Sequence, residues 1–286
     1  MASSTVPFIK MHGLGNDFVV LDGRAGRLPP LTAALASAVA DRRHGIGCDQ
    51  MIVLESSALG DVRMRIFNPD GGEVGACGNA TRAVGLLLGG ASLGGNVRIE
   101  TTAGILIASA AEAGIAVQMG VPRFDWDAIP LAYAMDTLSM PLAWGSPNGT
   151  LLEHPVAVNV GNPHAVFFVH NAAAVPLETL GPVIEHDSVF PERVNVNVAS
   201  ITPTGISLRV WERGAGLTLA CGTGACATAV AAMRRGLVPR AEPVRVSLPG
   251  GDLTIAWHAD GQIVMTGPAT ESFRGQFDPA AFGIPG

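Results

Sequence analysis

Arg65-Ile-Phe-Asn-Pro-Asp-Gly-Gly-Glu-Val-Gly-Ala-Cys77-Gly-Asn-Ala-Thr-Arg82 and Arg209-Val-Trp-Glu-Arg-Gly-Ala-Gly-Leu-Thr-Leu-Ala-Cys221-Gly-Thr-Gly-Ala-Cys226 read as one pattern written twice. Each opens on a strand-like Arg-apolar-aromatic triplet, passes through a Gly-rich turn, reaches Ala-Cys-Gly and runs into an apolar helix. The spacing between the two cysteines is 144 residues. Downstream, Val97-Arg-Ile-Glu-Thr-Thr-Ala-Gly matches Val244-Arg-Val-Ser-Leu-Pro-Gly-Gly at an offset of 147. Upstream, Gly15-Asn16-Asp-Phe-Val-Val sits against Gly161-Asn162-Pro-His-Ala-Val at an offset of 146. A nearly constant offset over three segments is the mark of a duplicated unit, which fits a chain of 286 residues, about twice single-domain length.

The repeat divides the chain into an N-terminal domain over 1–122, to which 268–286 returns, and a C-terminal domain over 123–267. Thirty-six Gly and twenty Pro punctuate many short alternating runs, a strand-rich pattern with frequent turns. Strands are expected at Val62–Phe67, Val97–Thr101, Ile105–Ser109, Ile206–Trp211, Val244–Leu248 and Leu253–Trp257. Helical spacing appears at Ala33–Arg43, with Thr32 as cap and Gly45 past the end, and at Asn79–Leu88 and Thr223–Arg235. Leu138–His154, rich in Pro, Gly and Ser, reads as a surface excursion. The fold class is therefore mixed α/β of the α+β type: two pseudo-symmetric, strand-rich domains, each with a helix opened by Cys-Gly.

Composition excludes several function classes. Hydrophobic residues make up 48% and charged ones 15%, too apolar for a disordered chain or a solvated coiled coil. The net charge is −6 and no Lys/Arg block exceeds two residues, so no nucleic acid is expected as partner. The longest uncharged, small-residue run, Leu217–Met233, is rich in Ala, Gly, Thr and Cys and falls short of the ~20 strongly apolar residues of a membrane helix. Met1–Lys10 has no basic start followed by an apolar stretch, which gives a cytoplasmic expectation with reduced thiols. A small-molecule substrate is the expected partner, and a homodimer is compatible with the sequence.

Duplicated domains related by an approximate two-fold axis bring equivalent positions together, and clefts between domains are where small ligands bind. Cys77 and Cys221 are then expected to face each other across one ligand, each at a helix N-terminus where free N–H groups and the helix dipole favour anions and lower a thiol pKa. Cys48 and Cys226 have no match in the repeat and read as small buried hydrophobes. Two opposed thiols suggest inversion of a stereocentre, one removing a proton from a face as the other delivers one to the opposite face. Pyridoxal phosphate needs a Schiff-base lysine, and the single lysine, Lys10, lies in an apolar strand-like run, so no cofactor is expected. The developing charge instead falls to the amides at Gly78-Asn79 and Gly222-Thr223. No His/Cys spacing suits zinc, so no metal is expected.

Met11-His-Gly-Leu-Gly-Asn-Asp-Phe, Asn68-Pro-Asp-Gly-Gly-Glu, Ala76-Cys-Gly-Asn-Ala-Thr-Arg, Gly161-Asn-Pro-His, Arg193-Val-Asn-Val-Asn and the Glu212–Cys226 segment resemble the diaminopimelate epimerase family over essentially the whole chain. The resemblance implies two similar domains, each a strand-rich barrel around a central helix. It also implies interconversion of LL- and meso-diaminopimelate without pyridoxal phosphate, on the bacterial route to lysine and peptidoglycan. Residue by residue, it makes Cys77 and Cys221 the acid/base pair, with Gly78, Asn79, Gly222 and Thr223 on the reacting carboxylate and His164 and Glu212 near the amino group. Asn16, Gln50, Asn68, Asn162, Asn195 and Arg213 match substrate-binding positions, Arg213 being suited to a second carboxylate. Ala80, Ala83 and Pro69 depart from common family residues at packing or turn positions.

Blander readings exist for several of these residues. Gly13-Leu-Gly-Asn lacks the strand and helix context of dinucleotide binding. His164 after Asn-Pro is by default a turn histidine, Glu212-Arg213 an exposed pair at a strand end, and Asn68-Pro-Asp-Gly first a turn. Proline and hydroxyproline racemases share the two-cysteine logic, but there a His typically follows the first Cys-Gly, where Asn79 stands here. A phenazine-pathway isomerase shares the architecture without the cysteine pair. A two-lobed amino-acid-binding protein differs by leaving the substrate α-proton unexchanged, and a Cys77–His164 hydrolase leaves Cys221 unexplained.

Overall fold

The computed structural model describes residues 5–24, 26, 28–75, 77–89 and 95–282. The chain divides into two compact units, residues up to 117 with those from 267 onward, and residues 118–266.

In the first unit, β1 (Val6–Gly13) and β2 (Asn16–Asp22) form an antiparallel hairpin. Its two turn residues, Leu14 and Gly15, both have positive φ, at 58° and 85°, the twist that a two-residue hairpin requires. α1 (Ala33–Ala40) crosses over to β3 (Gln50–Glu55), which lies parallel to β2. β4 (Val62–Phe67) and the short β5 (Glu73–Val74) continue antiparallel. α2 (Gly78–Gly89) then crosses to β6 (Asn96–Thr101), parallel to β4, and β7 (Gly104–Ala111) closes a second hairpin. β8 (Gly114–Gly120) leads out of the unit.

The second unit begins with a small hairpin, β9 (Ala143–Gly145) with β10 (Leu151–Glu153), and then repeats the first unit's topology. β11 (Val156–Asn159) and β12 (Pro163–Phe168) are antiparallel, and α3 (Leu177–Glu185) crosses to β13 (Asn195–Thr202), parallel to β12. β14 (Gly205–Glu212) and β15 (Gly216–Thr218) follow antiparallel. α4 (Gly222–Arg234) crosses to β16 (Val244–Leu248), parallel to β14, with β17 (Gly251–Trp257) and β18 (Ile263–Gly267) in sequence beyond it. The chain returns to the first unit with β19 (Thr270–Phe277), antiparallel to β1.

α4 is built almost wholly from Gly, Ala, Thr and Val, and it packs against β11, β12, β13, β14, β16 and β17. A helix buried on every side must be thin and apolar all round, which is why this segment lacks a polar stripe. α2 is buried likewise from Gly78 to Gly85 and packs against β1, β6, β7 and β19. Both cysteine-headed helices are thus the central helices of strand-rich units, and among the described residues no helix is long and apolar enough to cross a membrane.

Three local readings of the sequence change. α1 stops at Ala40 rather than Arg43, because Asp41 Oδ1 accepts from the Arg43 and His44 N–H groups and draws the chain out of the helix. Its start is as read, with Thr32 Oγ1 accepting from Leu35 N at 3.1 Å, a cap worth about 1 kcal/mol. Leu138–His154 is no mere surface excursion: it carries β9 and β10, whose Trp144 and Leu152 turn inward with Met140 to the second unit's core. α3 went unread because Pro182 and Gly181 interrupt it, yet Leu177, Leu180 and Ile184 line one buried face at helical spacing.

Candidate active site

In the first unit the site residues gather around the start of α2. Gly78 and Asn79, both buried, open the helix directly after the half-buried Cys77, whose carbonyl accepts from the Thr81 N–H and hydroxyl. Asn79 Nδ2 donates to Asn16 Oδ1 at 3.2 Å, and Asn16 Nδ2 donates to Asp49 Oδ2 at 3.0 Å. At the other end of this line, Arg82, fully buried, donates to Asn79 Oδ1 at 2.8 Å. Gly13 leaves room for that guanidinium, since a Cβ there would stand 3.2 Å from Arg82 Nη2. Gln50 Nε2 donates to Asn68 Oδ1 at 3.0 Å, leaving the buried Gln50 Oε1 without a hydrogen-bond partner. Asn68 also makes the turn expected of it, bonding through its main chain to Gly71 and Gly72.

Asp49, Arg42, Asp17 and Lys10 form an ionic cluster behind Asn16. Arg42 Nη2 lies 2.6 Å from both Asp17 Oδ1 and Asp49 Oδ1, and Lys10 Nζ lies 2.6 Å from Asp17 Oδ2. These two cations hold the Asp17 carboxyl well below the usual carboxylate range although burial opposes them. Lys10 is therefore a structural cation in β1, bonded also to the Gly47 carbonyl.

In the second unit Cys221 is the N-cap of α4, its Sγ accepting from Gly224 N at 3.3 Å and lying 3.5 Å from Thr223 Oγ1. Gly222 begins the helix. Asn162 Nδ2 donates to Thr223 Oγ1 at 3.3 Å, and Asn162 Oδ1 lies 2.8 Å from His164 Nε2. Glu212, at the end of β14, accepts from the Thr218 hydroxyl at 2.6 Å and is the carboxylate that Cys221 senses. Asn195 Oδ1 accepts from the Arg213 main-chain N–H at 3.0 Å, and the exposed Arg213 side chain reaches the Glu192 carbonyl at 2.9 Å.

One expectation is corrected here, and one blander reading is set aside. The helix N-terminus does not leave Cys221 with a lowered pKa: burial and the Glu212 carboxylate push this thiol well above its ordinary value and outweigh the Gly224 and Thr223 hydrogen bonds. His164 is no turn histidine but a fully buried residue of β12, whose pKa burial pushes down to about 3. Cys48 and Cys226 are buried, and burial raises the Cys48 thiol to about 11. Among the described residues no disulfide is formed, and no group of three or more His, Cys, Asp or Glu side chains could hold a metal ion.

Each unit thus brings its own set of expected residues together: Asn16, Asn79 and Cys77, with Gln50 and Asn68 paired, in the first; Asn162, His164, Thr223, Cys221 and Glu212, with Asn195 and Arg213 paired, in the second. Sequence reading missed Asp49, Arg82 and Asn197, the last lying 3.0 Å from His164 Nδ1. Of these, Arg82 and Asn197 sit inside quoted motifs, Arg82 in that of Cys77 and Asn197 in that of Asn195, and that place was the available signal.

Fold and site together define a class: two α/β units of one topology, each presenting a cysteine at the head of its central helix. The fold is shared with a phenazine biosynthesis protein of the PhzF family from Bacillus anthracis, at a TM-score of 0.67 and 17% identity over 96% of this chain and 99% of that one. A hydroxyproline epimerase from Agrobacterium vitis gives the same TM-score at 16% identity, over 99% of this chain and 96% of that one. The profile of the diaminopimelate epimerase family matches residues 8–124 and 156–271. The diaminopimelate epimerase of Erythrobacter litoralis is 64% identical over 96% of this chain and 97% of its own length, and that of Zymomonas mobilis is 52% identical over 97% and 99%. The chain belongs to the diaminopimelate epimerase family.

Proposed function

We propose that this chain interconverts LL- and meso-2,6-diaminopimelate by a cofactor-independent, two-thiol proton transfer at one α-carbon. The observation that carries the reading is the duplicated Cys-Gly helix start, Cys77 before α2 and Cys221 capping α4, in a chain of this family. In one direction the Cys77 thiolate removes the α-proton and the Cys221 thiol donates its proton to the opposite face, leaving Cys77 protonated and Cys221 as thiolate. The reverse direction exchanges the roles, and proton balance is restored between turnovers. Burial and Glu212 both favour the protonated form of Cys221, the form this direction needs at the start.

The carbanion is stabilised through its carboxylate by the first N–H groups of α2 and α4, around Gly78, Asn79, Gly222 and Thr223, where the helix dipole favours negative charge. Glu212 and the Asn162 carbonyl oxygen, oriented by the neutral His164 behind it, take the amino group, and Asn16, Gln50, Asn68 and Asn195 fix the remainder. Arg213 offers two parallel N–H donors to the distal carboxylate, the group that separates diaminopimelate from ordinary amino acids. A cytoplasmic setting, where thiols stay reduced, suits this chemistry. Incubation with LL-diaminopimelate in deuterated water tests the reading: inversion with solvent label at the inverted carbon is expected, and a protein that neither inverts nor labels its substrate is a binding protein instead.

A further inference from the structure

The dipeptide Glu212-Arg213 is gripped on both sides by one side chain. Glu185, in the last turn of α3, is 3% exposed. Its Oε2 accepts from Trp211 Nε1 at 2.8 Å and its Oε1 accepts from Gly214 N at 2.9 Å, so its two oxygens bond to the residues immediately before and after the dipeptide. Gly214 has φ of 76°, a left-handed conformation that glycine adopts without strain and that turns the N–H toward the carboxylate. α3 is itself seated on the indole: a Cβ at Gly181 would stand 2.5 Å from Trp211 ring carbons, so the helix can approach this closely only as glycine. The Arg193 Nη1 lies 3.8 Å from Glu185 Oε1 and adds a positive charge. A buried carboxylate is costly unless hydrogen-bonded and charge-paired, so this arrangement fixes the direction of whatever its donors belong to.

We propose that Glu185 is a positioning residue for the reaction, setting the Glu212-Arg213 dipeptide so that the Arg213 guanidinium meets the distal carboxylate of the substrate; this rests on the function proposed above. Glu185 touches no reacting atom and acts through Arg213. The Arg213 main chain is held on its other side by Asn195 Oδ1, so the clamp and that bond together define where the side chain departs from the strand.

Glu185→Gln keeps the shape, but an amide presents only one acceptor atom, so one of the two bonds is lost. The expected result is a rise of about tenfold in KM for diaminopimelate with a smaller change in kcat. A double-mutant cycle with Arg213→Lys separates positioning from general destabilisation: the double variant is expected within about threefold of the weaker single variant in kcat/KM, because both act through one group. Losses that multiply, or an unchanged KM, overturn the proposal. Should Glu185→Gln fail to fold, Trp211→Phe removes one bond while keeping most of the packing and enters the same cycle. Hydrogen exchange at Trp211 Nε1–H and Gly214 N–H reads the clamp without turnover. Faster exchange in Glu185→Gln is expected, and unchanged exchange overturns the clamp even if the unaltered protein proves inactive on diaminopimelate, which itself would count only against the function.

Discussion

The Nδ2 of Asn197 lies 3.0 Å from Nδ1 of His164, deep in the second unit, where neither residue has measurable exposure. An amide N–H₂ facing a ring nitrogen makes that nitrogen the acceptor, so the ring proton sits on Nε2 and is donated to Asn162 Oδ1 at 2.8 Å. The Asn162 amide then donates to Thr223, which neighbours Cys221 Sγ. A neutral imidazole of one tautomer therefore orients a line of polar groups ending at the Cys221 thiol.

This arrangement has a pH consequence. With a folded pKa near 3 against the ordinary value of about 6.5, the unfolded chain binds the extra proton between these limits, so stability falls as pH drops from 6.5 toward 3. The slope this residue adds is at most about 1.4 kcal/mol per pH unit. Denaturant unfolding at pH 7.5 and pH 4.5 is expected to show a smaller difference in His164→Gln than in the unaltered protein. Ring resonances of His164 should not titrate between pH 5 and pH 9, and a midpoint inside that range would refute the neutral assignment.

The cysteines divide into two pairs with opposite expectations. Cys77→Ala and Cys221→Ala should each abolish epimerisation, since inversion needs an acid and a base on opposite faces. Serine variants are expected to keep partial α-proton exchange from one stereoisomer, because one face retains its thiol. Cys48→Ala and Cys226→Ala, by contrast, remove small buried groups and should leave kcat/KM within about twofold while lowering stability modestly. Near-normal turnover in either variant of the first pair sinks the two-thiol mechanism.

Gly224 tests whether the close seating of α4 matters to Cys221. A Cβ there would stand 2.7 Å from Asn197 Oδ1, 3.1 Å from Val210 Cγ2 and 3.2 Å from Cys221 Sγ. None of these neighbours is a free-moving surface tip, so Gly224→Ala must shift the helix start or the thiol. A loss of at least about tenfold in kcat is expected, with a lower melting temperature, because a displaced thiol no longer lines up with the α-carbon. Unchanged kinetics in a well-folded variant would show that the thiol tolerates the shift.

Much of this site was legible because the repeat is written in small, rigid elements. Cys-Gly followed by Ala, Thr and Val marks a central helix start in both halves, and the strand-turn-helix order on either side sets the topology. The unread parts depend on contacts distant in sequence. Asp49 matters through Asn16, thirty-three residues away, and no local pattern announces that bond. The raised pKa of Cys221 follows from burial, which a motif does not encode, and here burial overrides the helix terminus that the motif does encode. Trp144 and Leu152 looked like loop residues because Pro, Gly and Ser surround them, and only the pairing of β9 with β10 turns them inward.

Arg213 is expected to decide specificity. Its guanidinium is exposed at the end of β14 and already turned through one N–H to the Glu192 carbonyl, while its main chain is tied to Asn195, so it is an oriented fork rather than a free surface charge. A planar guanidinium grips a carboxylate by two parallel bonds that an ammonium cannot reproduce. Arg213→Lys should therefore cost at least about tenfold in kcat/KM, or about 1.4 kcal/mol, because a substrate held by a point charge swings its α-carbon away from the thiols. Asn195→Ala is expected to act in the same direction and more weakly, since it frees the Arg213 main chain while leaving the fork intact. Steady-state kinetics with LL-diaminopimelate, set beside lysine, which lacks the second carboxylate, measures both effects. Lysine epimerised as readily as diaminopimelate by the unaltered enzyme, or an unchanged kcat/KM in Arg213→Lys, would remove the distal carboxylate from the recognition scheme and favour a racemase of smaller amino acids.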